Sequence, residues 1–116
     1  MQFDENSPIF MQLAVMLEDG IVSGAYPEES QIPSTPELAV GYKINPATAL
    51  KGVNLLVEKG LLYKKRGLGM YVAAGAREKL TAERRERFRE KYLEPLLAEA
   101  EKLGISRGEL KRMIGE

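Results

Sequence analysis

Two helix-start signals lie close together in the chain and constrain its fold more than any other feature. In residues 34–37, Ser34 can cap a helix while the Glu37 side chain bonds back to the Ser34 N–H. Eight residues further on, Asn45 is a good N-cap, and Pro46 suits the first helical turn. Only one short helix fits between the two signals. Two helices joined by so tight a turn predict a helix-turn-helix arrangement.

The spacing of apolar residues, glycines and prolines extends this prediction to both sides. Ser7 is expected to cap the first helix, with Pro8 as its first residue. Aliphatic and aromatic runs on both sides of Arg66-Gly67-Leu68 favour a β-hairpin. The predicted elements are helices over 8–23, 35–43 and 46–59, a short edge strand over 31–33, and strands over 61–65 and 69–73.

The third predicted helix separates into an inward and an outward side on a helical wheel. The residues expected to face the core are Ala49, Leu50, Val53, Leu56 and Val57. The residues expected to face outward are Ala47, Thr48, Lys51, Asn54 and Glu58. Leu55 falls among the outward residues, where it is either an ordinary exposed leucine or a contact for a thymine methyl group.

The start of this helix and the tip of the hairpin suit nucleic-acid binding. Small, hydrogen-bonding and cationic side chains lie where a recognition helix approaches the bases, and the helix N-terminus offers N–H groups to phosphate. A glycine at the hairpin tip allows close approach to a duplex. The candidate residues are Asn45, Ala47, Thr48 and Lys51 in the helix, and Lys64, Lys65, Arg66 and Gly67 in the hairpin. The alternative is a winged-helix protein-interaction module without sequence-specific DNA binding.

The composition argues against catalysis, cofactors and membranes. The 116 residues include neither cysteine nor histidine, which removes the usual nucleophile, general base and metal ligands. No glycine-rich loop opens a helix after a strand, so no dinucleotide or phosphate-loop motif is present. Seventeen basic and seventeen acidic residues balance. With no long apolar run and no basic leader, we expect a cytoplasmic protein that is not an enzyme and binds no metal.

The chain from residue 76 onward is expected to form a separate helical tail. Its first part, to residue 89, carries almost no apolar stripe and is not expected to bury much; its alternating charges are typical of a solvated helix face. Pro95 should kink the next stretch or start a new segment. Ser106 and Glu109 predict a capping box for a last helix.

An apolar stripe in this tail is a candidate dimer interface, because its exposure in a monomer would be costly. Its residues are Phe88, Tyr92, Leu93, Leu96, Leu97, Ala100 and Leu103. The alternative is that the stripe folds back on the first domain of the same chain. Between two copies, Phe88 and Tyr92 would offer aromatic walls to a small-molecule effector.

Residues 8–72 resemble the winged helix-turn-helix domain of the GntR family of bacterial transcription regulators. The resemblance is carried by Pro8-Ile9-Phe10, Ile21 to Gly24, Ile32-Pro33-Ser34, Glu37-Leu38-Ala39, Ile44 to Thr48, Leu56 to Leu62 and Arg66 to Val72. The short tail and the Asn-Pro-x-Thr start of the third helix are most similar to the YtrA-like subfamily.

This resemblance implies a domain over 1–75, a dimerisation tail over 76–116, and a homodimeric repressor that binds a palindromic double-stranded DNA operator. Helix 46–59 would enter the major groove and the wing over 64–69 would lie at the adjacent groove. The resemblance also places Ser34 at the interface. One departure is Pro36, which stands where the family usually has a DNA-contacting arginine. Another is Met70, in place of a small threonine in the wing, and this change is expected to be structural.

Overall fold

A computed structural model describes residues 3–115, which form two compact units, one up to residue 81 and one from residue 82. The first unit is mainly helical with a two-stranded antiparallel hairpin, as the sequence predicts. The bounds of its elements are α1 Ile9–Ser23, α2 Thr35–Tyr42, α3 Pro46–Glu58, β1 Leu62–Lys65 and β2 Gly69–Val72. α4 (Ala76–Phe88) spans the division, and a π-helical turn (Arg89–Leu93), α5 (Glu94–Lys102) and α6 (Arg107–Ile114) complete the second unit.

The core of the first unit draws on all of its elements. α1 and α2 both pack against α3, and β1 also contacts α3. The side chains that exclude water there are aliphatic, and their burial is the main source of stability for this unit. They include Leu13, Leu17 and Ile21 of α1, Leu38 of α2, Val53 and Leu56 of α3, and Leu61, Leu62 and Val72 around the hairpin.

The start of α1 differs from the prediction by one position. Pro8 is the N-cap, not the first helical residue, and no side chain caps this end. The Pro8 carbonyl accepts hydrogen bonds from the N–H groups of Met11 and Gln12, at 3.1 and 3.2 Å. Gln12 ties down the preceding segment through its amide group, which donates to the Ser7 carbonyl at 2.7 Å. The helix therefore begins without the predicted serine cap, and Gln12 holds the preceding segment.

The predicted hairpin forms, and the predicted edge strand is reduced to a single bridge. Leu62 pairs with Val72 and Lys65 pairs with Gly69. Gln31 forms one antiparallel bridge to Tyr71 and lies in no named strand. Two backbone hydrogen bonds of 3.0 Å flank this bridge, from the Ile32 N–H to the Met70 carbonyl and from the Val72 N–H to the Ser30 carbonyl.

α4 buries more apolar side chains than its charged composition indicates. Ala76 and Leu80 are each only 2% exposed and belong to the core of the first unit. They are four residues apart, so two side chains are enough to form a narrow contact stripe on a helix that is otherwise charged. The domain boundary predicted between residues 75 and 76 coincides with the start of α4, whereas the compact units divide after Thr81.

The starts of the last two helices agree with the prediction. Pro95 lies in the first turn of α5, directly after the π-helical turn, so a new helical segment begins there as expected. The Arg89 guanidinium bridges this junction by binding the carboxylates of Glu86 and Glu94. Ser106 and Glu109 form the predicted capping box of α6. In the described range 3–115, no helix is both long and apolar enough to cross a membrane.

Candidate nucleic-acid interface

The N-terminal end of α3 combines exposed small and cationic side chains with a capped helix start. The Asn45 side-chain oxygen accepts a hydrogen bond from the Ala47 N–H at 2.7 Å, as the N-cap prediction requires. Ala47 and Lys51 are exposed, and Thr48 is half-buried. The helix dipole places partial positive charge at this end. The arrangement suits a phosphate group or the edge of a base pair.

Two leucines of α3 have environments opposite to those predicted for them. The buried face is formed by Ala49, Gly52, Val53 and Leu56. Leu50, predicted to be buried, is 44% exposed, whereas Leu55, predicted to be exposed, packs against the core. At 100° per residue each lies about 110° from the centre of the buried face, on opposite flanks. α1 residues adjoin the flank of Leu55. A wheel cannot show which flank a neighbouring helix covers.

A close approach of α1 and α3 connects the core to this surface. A Cβ atom on Gly52 would lie 2.9 Å from the Phe10 carbonyl oxygen, which is closer than packed atoms allow. With glycine there, α1 comes near enough for the Lys51 ammonium to lie 4.2 Å from the centre of the Phe10 ring. A cation over an aromatic face is stabilised by the ring quadrupole. Sequence reasoning did not assign Phe10 to this surface, because only the packing of α1 against α3 brings its ring to Lys51.

Ser34 has a structural role that the sequence also predicts. Its hydroxyl accepts a hydrogen bond from the Glu37 N–H at 3.1 Å, and its own N–H donates to the Glu37 carboxylate at 2.9 Å. The bond from the Ser34 N–H favours the ionised carboxylate and lowers the pKa of Glu37 from its ordinary value of 4.5. Half-buried Ser34 therefore orients α2, and Pro36 follows in its first turn.

The wing carries the predicted basic cluster at and beside its turn. Lys64 and Arg66 are exposed, and the Lys65 ammonium lies 4.2 Å from the centre of the Tyr71 ring. Gly67 is exposed at the turn with a φ of 77°, a left-handed conformation that favours glycine. Two of the candidate DNA-binding lysines, Lys51 and Lys65, thus rest on aromatic rings.

The wing is anchored to the segment before α2 by side chains that sequence reasoning missed. The Gln31 amide donates to the Leu68 carbonyl in the turn, and the Tyr63 hydroxyl donates to the Glu29 carboxylate at 2.6 Å. The second bond raises the pKa of Tyr63 above its ordinary value of 10.0. The partners are 34 and 37 residues apart, so no local pattern could reveal either bond.

The predicted tail stripe is not uniformly accessible. Five of its seven side chains are exposed, Leu97 is half-buried and Ala100 is 5% exposed. Ala100 is close to the start of α6, because its carbonyl accepts a hydrogen bond from the Ile105 N–H at 2.9 Å. The Phe88 and Tyr92 rings lie 5.6 Å apart and form an aromatic pair. The exposed members are Phe88, Tyr92, Leu93, Leu96 and Leu103.

A solved structure with substantial sequence identity decides the family. The chain is 34% identical to a GntR-family transcriptional regulator from Bacteroides thetaiotaomicron, covers 92% of it, and matches it with a TM-score of 0.74 over 91% of its own length. The chain belongs to the GntR family. It is accordingly a winged helix-turn-helix transcriptional regulator and not an enzyme, as the sequence analysis predicts.

Of two further relatives, one matches almost the whole of this GntR-family chain and the other matches about two thirds of it. The transcriptional repressor YtrA of Bacillus subtilis is 27% identical over 111 residues, which are 96% of this chain and 85% of YtrA. The DNA-binding domain of AraR, in complex with the operator ORX1, is 27% identical and matches 63% of this chain with a TM-score of 0.57, over 93% of that domain. No protein-family model matches the sequence.

Proposed function

We propose that this GntR-family regulator is a homodimeric, cytoplasmic repressor that binds a palindromic operator. The exposed N-terminal half of α3, capped by Asn45 and packed against the core through its other face, is the observation that carries the proposal. This half-helix would enter the major groove, and the wing over residues 64–69 would bind at the adjacent groove. The likeness of 63% of the chain to an operator-bound domain supports double-stranded DNA as the partner.

The proposed contacts follow from the chemistry of each candidate side chain. Asn45, Thr48 and Lys51 would meet bases or phosphates from α3, with Ala47 allowing close approach. Lys64, Lys65 and Arg66 would neutralise phosphates, with Gly67 allowing the backbone of the wing to come close. The Ser34 hydroxyl can still donate its proton to a phosphate while it caps α2.

DNA binding is tested by fluorescence anisotropy on a duplex carrying the promoter of the protein's own operon, at two salt concentrations. Wild-type affinity should fall steeply with salt because phosphate contacts release counterions. Lys51→Ala should cost about 1–3 kcal/mol and relax discrimination at one base pair if Lys51 contacts a base. Lys64→Ala should weaken binding to all duplexes alike and lower the salt slope by about one.

A tail lysine provides the matched control, since Lys102→Ala removes one exposed charge from α5. It should change specific binding less than Lys51→Ala does. Equally poor binding by the wild type and all three variants would favour the alternative, a protein-interaction module. Pro36, in place of the family's usual arginine, is the observation in favour of that alternative.

We propose that the exposed tail stripe forms the dimer contact. Two copies related by a twofold axis would bury Phe88, Tyr92 and Leu96. Half-sites one turn of DNA apart require the two α3 helices of such a dimer to lie about 34 Å apart. The aromatic pair would also line a site for a small-molecule effector between the copies.

Analytical ultracentrifugation of Leu96→Arg tests the dimer. The variant should be monomeric and should lose operator affinity, because it can no longer bind both half-sites at once. Met113→Arg is the matched control: Met113 is an exposed apolar residue of α6 outside the stripe, and the variant should remain dimeric. A monomeric wild type, or a dimeric Leu96→Arg variant, would contradict the proposed interface.

A further inference from the structure

Leu50 is an exposed aliphatic side chain on the helix proposed to enter the major groove. Its exposed fraction is 44%, although it lies between the buried residues Ala49 and Val53 in a helix of the core. Exposed leucines are common on protein surfaces, so exposure alone assigns no role. A role for Leu50 follows from the residues beside it on α3.

Leu50 and Ala47 form an apolar strip on the exposed side of α3. The two residues are three positions apart and adjacent on the helix surface, and both are exposed. Asn54 continues the same row one turn further on and is also exposed. The strip begins within the first turn of α3, next to the Asn45 cap. Small and apolar groups therefore occupy the part of α3 that lies nearest the bases in a helix-turn-helix complex.

Lys51 does not cover this strip. Successive residues on a helix are separated by about 100°, and the Lys51 ammonium lies over the Phe10 ring of α1. The cation is thus held on the α1 side of α3, whereas Leu50 lies on the opposite flank.

The major groove presents one apolar feature among its base edges, the C5-methyl group of thymine. We propose that Leu50 is a specificity-determining residue that contacts a thymine methyl group in each operator half-site, with Ala47 beside it. The assignment rests on the proposed DNA binding by α3. It differs from the expectation for Leu55, which packs against the core on the other flank. The substrate class is a duplex with a required A·T pair opposite the middle of α3.

Replacement of single thymines by deoxyuridine tests this assignment, because it removes only the methyl group. The probe is the duplex recovered by the wild-type protein from a random-sequence library, with each thymine replaced in turn. At one position per half-site, the affinity of the wild type should fall about threefold to fivefold, the size expected for one buried methyl group. Leu50→Ala should bind the thymine and deoxyuridine duplexes at that position equally well.

Val40→Ala is the matched control, since Val40 is an aliphatic residue of α2 that is 80% exposed. This variant should keep the wild-type preference for thymine over deoxyuridine. The assignment is overturned if no deoxyuridine duplex binds more weakly, or if Leu50→Ala retains the preference. Recovery of no specific duplex by the wild type would overturn the proposed DNA binding itself, which is a different result from specific binding without methyl dependence.

Discussion

The Lys51 ammonium lies 4.2 Å from the centre of the Phe10 ring, so a candidate DNA-binding cation of α3 is positioned by a residue of α1. An exposed cation–π contact contributes about 0.5–1 kcal/mol. This contact limits the conformations of a long side chain before DNA arrives, which lowers the entropy lost on binding.

We expect Phe10→Leu to weaken operator binding about twofold to fivefold, while Phe10→Tyr retains wild-type affinity because it keeps the aromatic face. The measurement is a double-mutant cycle with Lys51→Met, read by fluorescence anisotropy. In the Lys51→Met background, Phe10→Leu should have no further effect. Additive losses, or a loss of folded protein in Phe10→Leu by circular dichroism, would show that Phe10 acts only through packing.

A buried carboxylate in the first unit gives a prediction about stability. Glu18 is 4% exposed, and its carboxylate lies 3.0 Å from the ammonium of Lys59, whose side chain is half-exposed. We expect Lys59→Met to lower the free energy of unfolding by about 1–3 kcal/mol, because a buried charge loses a compensating partner. Urea unfolding followed by circular dichroism measures the change. Lys64→Met, at an exposed position of the wing, is the control and should change stability by less than about 0.5 kcal/mol. Equal stability of the two variants would contradict the prediction.

The capping box of α2 predicts a pH dependence. Hydrogen bonds from Ser34 lower the pKa of Glu37, so the unfolded chain takes up this proton at a higher pH than the folded chain. The stabilisation is therefore present above the ordinary value of 4.5 and is lost as the pH falls through the lower pKa of the folded state. Thermal unfolding between pH 6 and about pH 3 should show a smaller fall in Tm for Glu37→Gln than for the wild type. Identical pH profiles would rule out this contribution.

The contact between Gln31 and the wing predicts a selective effect on DNA binding. A Cβ atom on Gly69 would lie 2.8 Å from the Gln31 amide nitrogen, at a φ of 120° that other residues rarely adopt. Gly69→Ala should therefore displace the wing turn and weaken binding to all duplexes, as should Gln31→Ala, which removes the bond to Leu68. Hydrogen exchange of the wing amides, measured by NMR, should accelerate in both variants while α1 stays protected. Unchanged exchange in the wing would contradict this anchoring role.

The sequence predicts the elements whose causes are local. The capping boxes at Ser34 and Ser106, the Asn45 cap and the hairpin all depend on residues a few positions apart, and all are confirmed. The new helical segment at Pro95 follows from the missing N–H of proline in the same way.

The predictions that failed concern side chains whose neighbours in the fold are distant in the sequence. Leu55 lies beside residues of α1, whereas Leu50, on the other flank of α3, is 44% exposed. The burial of Leu80 and the anchoring of the wing by Gln31 likewise depend on residues far along the chain. Of the candidate site, sequence reasoning therefore identified side chains at the surface but not Phe10, Gln31 or Tyr63, which orient them.

In α3, different residues pack against the core and face the solvent. The buried residues are Ala49, Gly52, Val53 and Leu56. Ala47, Leu50 and Asn54 are exposed. Substitutions in the second group leave the hydrophobic interior intact. Paralogous copies of such a gene can accordingly diverge toward new target promoters through a few codon changes without first acquiring compensating mutations for folding.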